Sequence, residues 1–110
     1  MQRDKEYMID IVESAKLAIA YLGEKSREDF FLDSQCQDAV VRRIEIIGEA
    51  ARRISDETRS EYTELPWSDM IGMRNLMIHE YDDIDIAIVW ETVKNDLPLL
   101  IDSLEKILDT

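Results

Sequence analysis

The sequence predicts an all-α protein, an up-and-down bundle of four or five helices forming one domain over residues 1–110. Three observations carry that expectation. Glycine and proline are scarce, three and two in the chain, so little interrupts regular structure. Apolar residues recur at every third or fourth position over long stretches, the period of a helix and not of a strand. The segments between those stretches are short, which favours antiparallel neighbours around a common core.

The first helix is expected from Asp4 to Leu22, with Met8, Ile11, Ala15, Ala18 and Leu22 as one stripe and Gly23 as its stop. A polar linker, Glu24 to Asp33, follows. Its Phe30 and Phe31 pin it to the core or, if exposed, serve a partner surface. The second helix opens at Ser34, a good N-cap, and runs to Ile54 with Val40, Ile44, Ile47, Ala51 and Ile54 on its buried side. Residues 55–65 are polar and break the period, apart from a short helical turn at Glu57 to Tyr62. Pro66 suits a first helical position, so the third helix is placed over Pro66 to Glu80. The fourth starts at Asp83 or Asp85 and reaches Leu108, with Ile86, Val89, Val93, Leu97, Leu100, Leu104 and Ile107 as its seam. Pro98 removes one backbone donor inside that run, which predicts a kink near Lys94 to Pro98. Trp67, Trp90, Met70, Met73 and Met77 read as core and interface fillers.

Composition narrows the function. Apolar residues are 45% and charged residues 35%, unlike a disordered or a membrane protein. The longest apolar run is Leu17 to Leu22 and the N-terminus is charged, so neither a spanning helix nor a secretory signal is expected, and the chain reads as cytoplasmic. One cysteine, Cys36, and one histidine cannot supply an internal disulfide or a structural zinc site. Neither metal nor cofactor is expected. The net charge of −12 opposes generic nucleic-acid binding, which rests on Lys and Arg displacing counterions. However, the basic residues of the middle of the chain are all arginines, namely Arg42, Arg43, Arg52, Arg53, Arg59 and Arg74, the side chain best matched to phosphate. A local basic cleft on an acidic molecule is one reading. An acidic surface that keeps the protein soluble and suits a basic protein partner is the other.

The chemistry concentrates in residues 66–81, PWSDMIGMRNLMIHEY, which hold the only histidine. Gly72 within this helical pattern costs about 1 kcal/mol relative to alanine and signals a close approach by another helix or a ligand. On a helix, Asn75 and His79 share a face, and Arg74 and Tyr81 nearly eclipse each other. Arg74 and His79 stand about 140° apart, so both reach one small ligand only where the helix end bends or the site straddles a junction. Spacing alone favours a structural role: a cation at the negative end of a helix, with Arg74 and Tyr81 anchoring the next turn.

These residue types nevertheless suit RNA cleavage. RNA carries its own nucleophile, the 2′-OH, so the reaction needs a base for that hydroxyl, an acid for the leaving 5′-oxygen and positive charge on the phosphate. Histidine titrates in the range for both proton transfers, and arginine supplies a planar, permanent cation. Asn75 and Tyr81 would orient His79 or the phosphate. One chain offers one histidine. Separate imidazoles would therefore require a two-fold dimer, whereas His79 working with Arg74 alone would need only a monomer.

GMRNLMIHEY, residues 72–81, resembles the R-x4-H-x-Y signature of HepT toxins in the HEPN superfamily, with Arg74, His79 and Tyr81 at the matching positions and Asn75 directly after the arginine. RDKEYMIDIVESA near the start, AVVRRIEIIGEAARRI in the middle, the PW before the motif and NDLP near the end also look like this family. The resemblance implies a HEPN-like bundle and a homodimeric, metal-independent ribonuclease. Its composite site lies in the dimer cleft, Arg74 and His79 are catalytic, and tRNA is the target. It further implies an MntA-like nucleotidyltransferase antitoxin that transfers AMP onto Tyr81, placing bulk and negative phosphate in the site. A non-catalytic HEPN subunit that docks a nucleotidyltransferase or a nucleotide is the competing expectation, and a plain helical oligomerisation domain is the third.

Overall fold

The computed structural model describes residues 3–72 and 85–109. Among them every regular element is helical, and no strand forms. The elements are α1 (Asp4–Leu22), α2 (Arg27–Phe31), α3 (Ser34–Arg53), α4 (Asp56–Glu61), α5 (residues 67–72), α6 (Ile86–Glu91) and α7 (Leu97–Leu108). A π-helical turn, Thr92–Asp96, joins α6 to α7, so residues 86–108 form one continuous helical run.

The expected stripes are the buried ones. Met8, Ile11, Ala15, Ala18 and Leu22 of α1 face Val40, Ile44, Ile47 and Ala51 of α3, all buried, most of them completely. Ile54, just past α3, is buried with them. Val89, Val93, Leu97, Leu100 and Leu104 close the same core, while Ile86 and Ile107 pack against it from its ends. Contacts at both ends of α1 fix the directions of α3 and α7. Cys36 in the first turn of α3 donates its thiol hydrogen bond to the Tyr21 carbonyl near the end of α1, and Ser55 after α3 bonds Asp4 at the start of α1. In the other helical run, the last turn of α7 lies beside Lys5 and Met8 at the start of α1, and Lys16 pairs with Glu105 at 2.8 Å. Thus α1 runs antiparallel to both of its neighbours.

Local chemistry sets the boundaries and corrects several expected ones. Asp33, not Ser34, caps α3, because its carboxylate reaches the Cys36 N–H at 3.0 Å and suits the positive end of the helix. The expected linker contains α2, capped by Ser26 on the Asp29 N–H. That short helix separates the two phenylalanines: Phe30 is fully buried against Trp90, with ring centroids 5.8 Å apart, whereas Phe31 is 40% exposed beneath Arg27. The expected turn at 57–62 is α4, begun one residue earlier by the Ser55 cap. Pro66 is not the first helical residue. It occupies the capping position, and its carbonyl accepts the first helical bond from Met70 N–H.

The kink expected near Pro98 takes the form of the π-helical turn. Proline lacks the N–H that would bond one turn back and its ring crowds that carbonyl. The preceding turn widens instead, with Leu97 N–H bonding the Thr92 carbonyl five residues earlier.

Candidate functional site

Arg74, Asn75, His79 and Tyr81 lie outside the described residues, as do Met73, Met77 and the expected third-to-fourth helix connection. The structure describes the framework on either side. On the N-terminal side, Leu65, Trp67 and Met70 are buried, and Trp67 Nε1 donates to the Tyr62 carbonyl at 2.9 Å. An indole body in the core with its N–H satisfied fixes the start of α5 and hence the point from which the chain enters the motif. On the C-terminal side, Asp85 caps α6 by accepting from Ala87 N–H at 2.9 Å, and Val89 drops fully into the core. Trp90 is half-buried, packed at a tilt against Phe30 and covered by the Lys94 ammonium at 5.0 Å, so both tryptophans act as anchors.

Gly72 differs from expectation. It is exposed, and a Cβ built there meets no atom within 4 Å, so no described element approaches it closely. Among the described residues, steric demand from a neighbouring helix does not account for the glycine.

Nor do the central arginines outside the motif assemble a basic cleft. Arg42 and Arg53 line a groove of about 400 Å³ between α1 and α3, but Asp10, Glu45 and Glu49 line it as well. Arg52 and Arg53 both lie 3.8 Å from Glu49, and Arg59 pairs with Asp56 at 2.7 Å. These contacts follow from helical spacing, since acids three and four residues before an arginine share its face. Arg43 is half-buried, and its Nε has no hydrogen-bond partner among the described residues. Carboxylates therefore offset much of the positive charge that the sequence concentrates here. Cys36 is no nucleophile either: burial, reinforced by Asp33, pushes its thiol pKa up and keeps it protonated. Among the described residues no group of His, Cys, Asp and Glu is arranged to hold a metal ion, and no helix is long and apolar enough to cross a membrane.

The profile of the family described as "Ribonuclease HepT-like" matches residues 11–107, a span that includes the whole motif. This chain belongs to the HepT-like family. Individual relatives agree. A Methanocaldococcus jannaschii protein, named "Gamma-glutamylcyclotransferase and putative RNase", is 41% identical over 99% of this chain, which spans only 50% of that longer protein. The "Probable ribonuclease HepT" of Thermococcus cleftensis is 40% identical over 94% of both chains. A further Methanocaldococcus jannaschii protein, named "Putative RNase", is 38% identical over 86% of both. No solved structure matches the chain.

Proposed function

We propose that this protein is a metal-independent ribonuclease toxin of a HepT/MntA-type pair, acting in the cytoplasm on RNA and most readily on tRNA. The observation that carries the reading is the family match over residues 11–107, within which Arg74, His79 and Tyr81 stand in the R-x4-H-x-Y order. In the proposed reaction an imidazole takes the 2′-OH proton as the 2′-oxygen bonds to phosphorus. The bond from phosphorus to the 5′-oxygen breaks, and that oxygen receives a proton. Arg74 balances the charge that builds on the non-bridging oxygens, and Asn75 and Tyr81 orient the imidazole and the phosphate. With one histidine per chain, the separate acid and base are His79 from each subunit of a homodimer.

The same site explains a means of neutralisation. An MntA-like nucleotidyltransferase would use ATP to modify Tyr81: the phenolic oxygen bonds to the α-phosphorus, pyrophosphate leaves and the phenol proton passes to solvent. The added adenylate places a negative phosphate where the RNA phosphate belongs.

A second reading, a non-catalytic subunit that docks a nucleotidyltransferase or a nucleotide, draws support from the net charge of −12 and from the acid-paired arginines of α3 and α4. Induced expression of wild type and His79→Ala in cells lacking any partner separates the two, with RNA ends mapped afterwards. Growth arrest and new RNA ends with wild type alone are expected. Silence from both proteins would overturn the ribonuclease reading in favour of the docking subunit.

A further inference from the structure

A second surface stands apart from the motif, where the loop before α5 meets the start of α7. Pro66, Leu99 and Leu100 floor a groove of about 350 Å³, and Glu64, Asp69 and Asp96 rim it together with Ser103. Leu99 is 68% exposed. It falls between seam positions Leu97 and Leu100, so the helix turns it away from the core. A lone surface leucine needs no explanation, but this one shares a concave floor with Pro66 and Leu100.

The rim is acidic. Asp33, Glu49, Asp56, Glu91 and Glu105 each lie within ion-pair distance of a lysine or arginine. Glu64, Asp69 and Asp96 are exposed, and none forms an ion pair among the described residues. An apolar floor inside an uncompensated negative rim repels phosphate and favours the opposite pattern. Its size, at the small end of binding pockets, suits a few side chains and not a folded ligand surface.

The geometry points to this groove as a docking site for a segment of a partner protein that carries an apolar side chain flanked by lysine or arginine. The apolar residue covers Pro66 and Leu99, and the cations meet Glu64, Asp69 and Asp96. Because Pro66 and Asp69 belong to the start of α5, the occupant would also contact the element that leads in sequence into residues 72–81. This assignment does not depend on the ribonuclease reading.

The test uses the whole protein and three synthetic peptides: Lys-Lys-Leu-Lys-Lys, the same with serine for leucine, and the same with glutamate for each lysine. Binding is followed by backbone amide shifts in NMR titrations. The leucine–lysine peptide is expected to bind and to shift residues 64–69 and 96–103. Each control peptide, and each of the variants Leu99→Ser and Asp96→Lys against the first peptide, should bind about tenfold more weakly. Both substitutions are at exposed positions, and thermal melts check that the variants remain folded. Equal binding of the serine peptide, shifts spread over the whole acidic surface, or unchanged affinity in folded variants would overturn the proposal. So would self-association of wild type that Leu99→Ser abolishes, because the occupant would then be a second copy.

Discussion

Two places where distant segments meet use carboxylates in opposite ways. At the junction of α1 with α3 and α4, Asp4 is 5% exposed and accepts from Ser55 N–H at 3.1 Å, Ser55 Oγ at 2.6 Å and Thr58 Oγ1 at 2.5 Å. At the junction of the pre-α5 loop with α7, three carboxylates stand exposed around an apolar floor, and none has an ion pair among the described residues. The first carboxylate is fully used in holding the fold. The others leave their charge available to something outside it. Burial would push the Asp4 pKa up, but the hydrogen bonds from Ser55 and Thr58 outweigh it and hold the carboxyl well below its ordinary 3.8.

The sharpest way to break the contrast is to remove the buried acceptor. Asp4→Ala leaves the Ser55 and Thr58 donors without their partner and is expected to cost about 3 kcal/mol, seen as a lower urea midpoint at unchanged slope. A loss under about 1 kcal/mol would mean that water or a rearranged loop replaces the carboxylate.

Acid titration gives a smaller effect with a definite sign. A carboxyl whose pKa is depressed on folding contributes its full stabilisation above the unfolded value, near pH 4, and loses it as pH falls. Wild type should therefore lose about 1 kcal/mol relative to Asp4→Asn between pH 7 and pH 3, because only the unfolded carboxyl takes up a proton there. Parallel stability curves for the two proteins would remove Asp4 from the account of acid sensitivity.

The smallest effect belongs to the groove. Leu99→Ser at a 68% exposed position should change unfolding free energy by no more than about 0.5 kcal/mol. A larger loss would make Leu99 part of the folded core and weaken its assignment to a partner.

Much of this organisation is legible along the chain. The stripe Met8, Ile11, Ala15, Ala18, Leu22 and the seam Val89, Val93, Leu97, Leu100, Leu104 predict buried faces because helical periodicity is a local property. Boundaries shifted by a residue where a competing group made the better cap, as Asp33 did in place of Ser34. The short α2 escaped notice because five residues are too few to display a period. The motif was readable only as a pattern: Arg74, His79 and Tyr81 are recognised by order and spacing, and spacing alone favoured a structural role for the histidine.

The sequence by itself determined the helical class, the buried stripes and the family, since propensity, periodicity and motif order are carried by neighbouring residues. Tertiary structure alone decided that Asp4 meets Ser55 and Thr58 across 51 and 54 positions, and that Pro66 shares a groove with Leu99. It also decided that Arg42 and Arg53 of α3 line their groove together with Asp10 of α1. Hydrogen bonding, desolvation and charge pairing depend on which groups the packed helices bring together, and no local pattern specifies those neighbours.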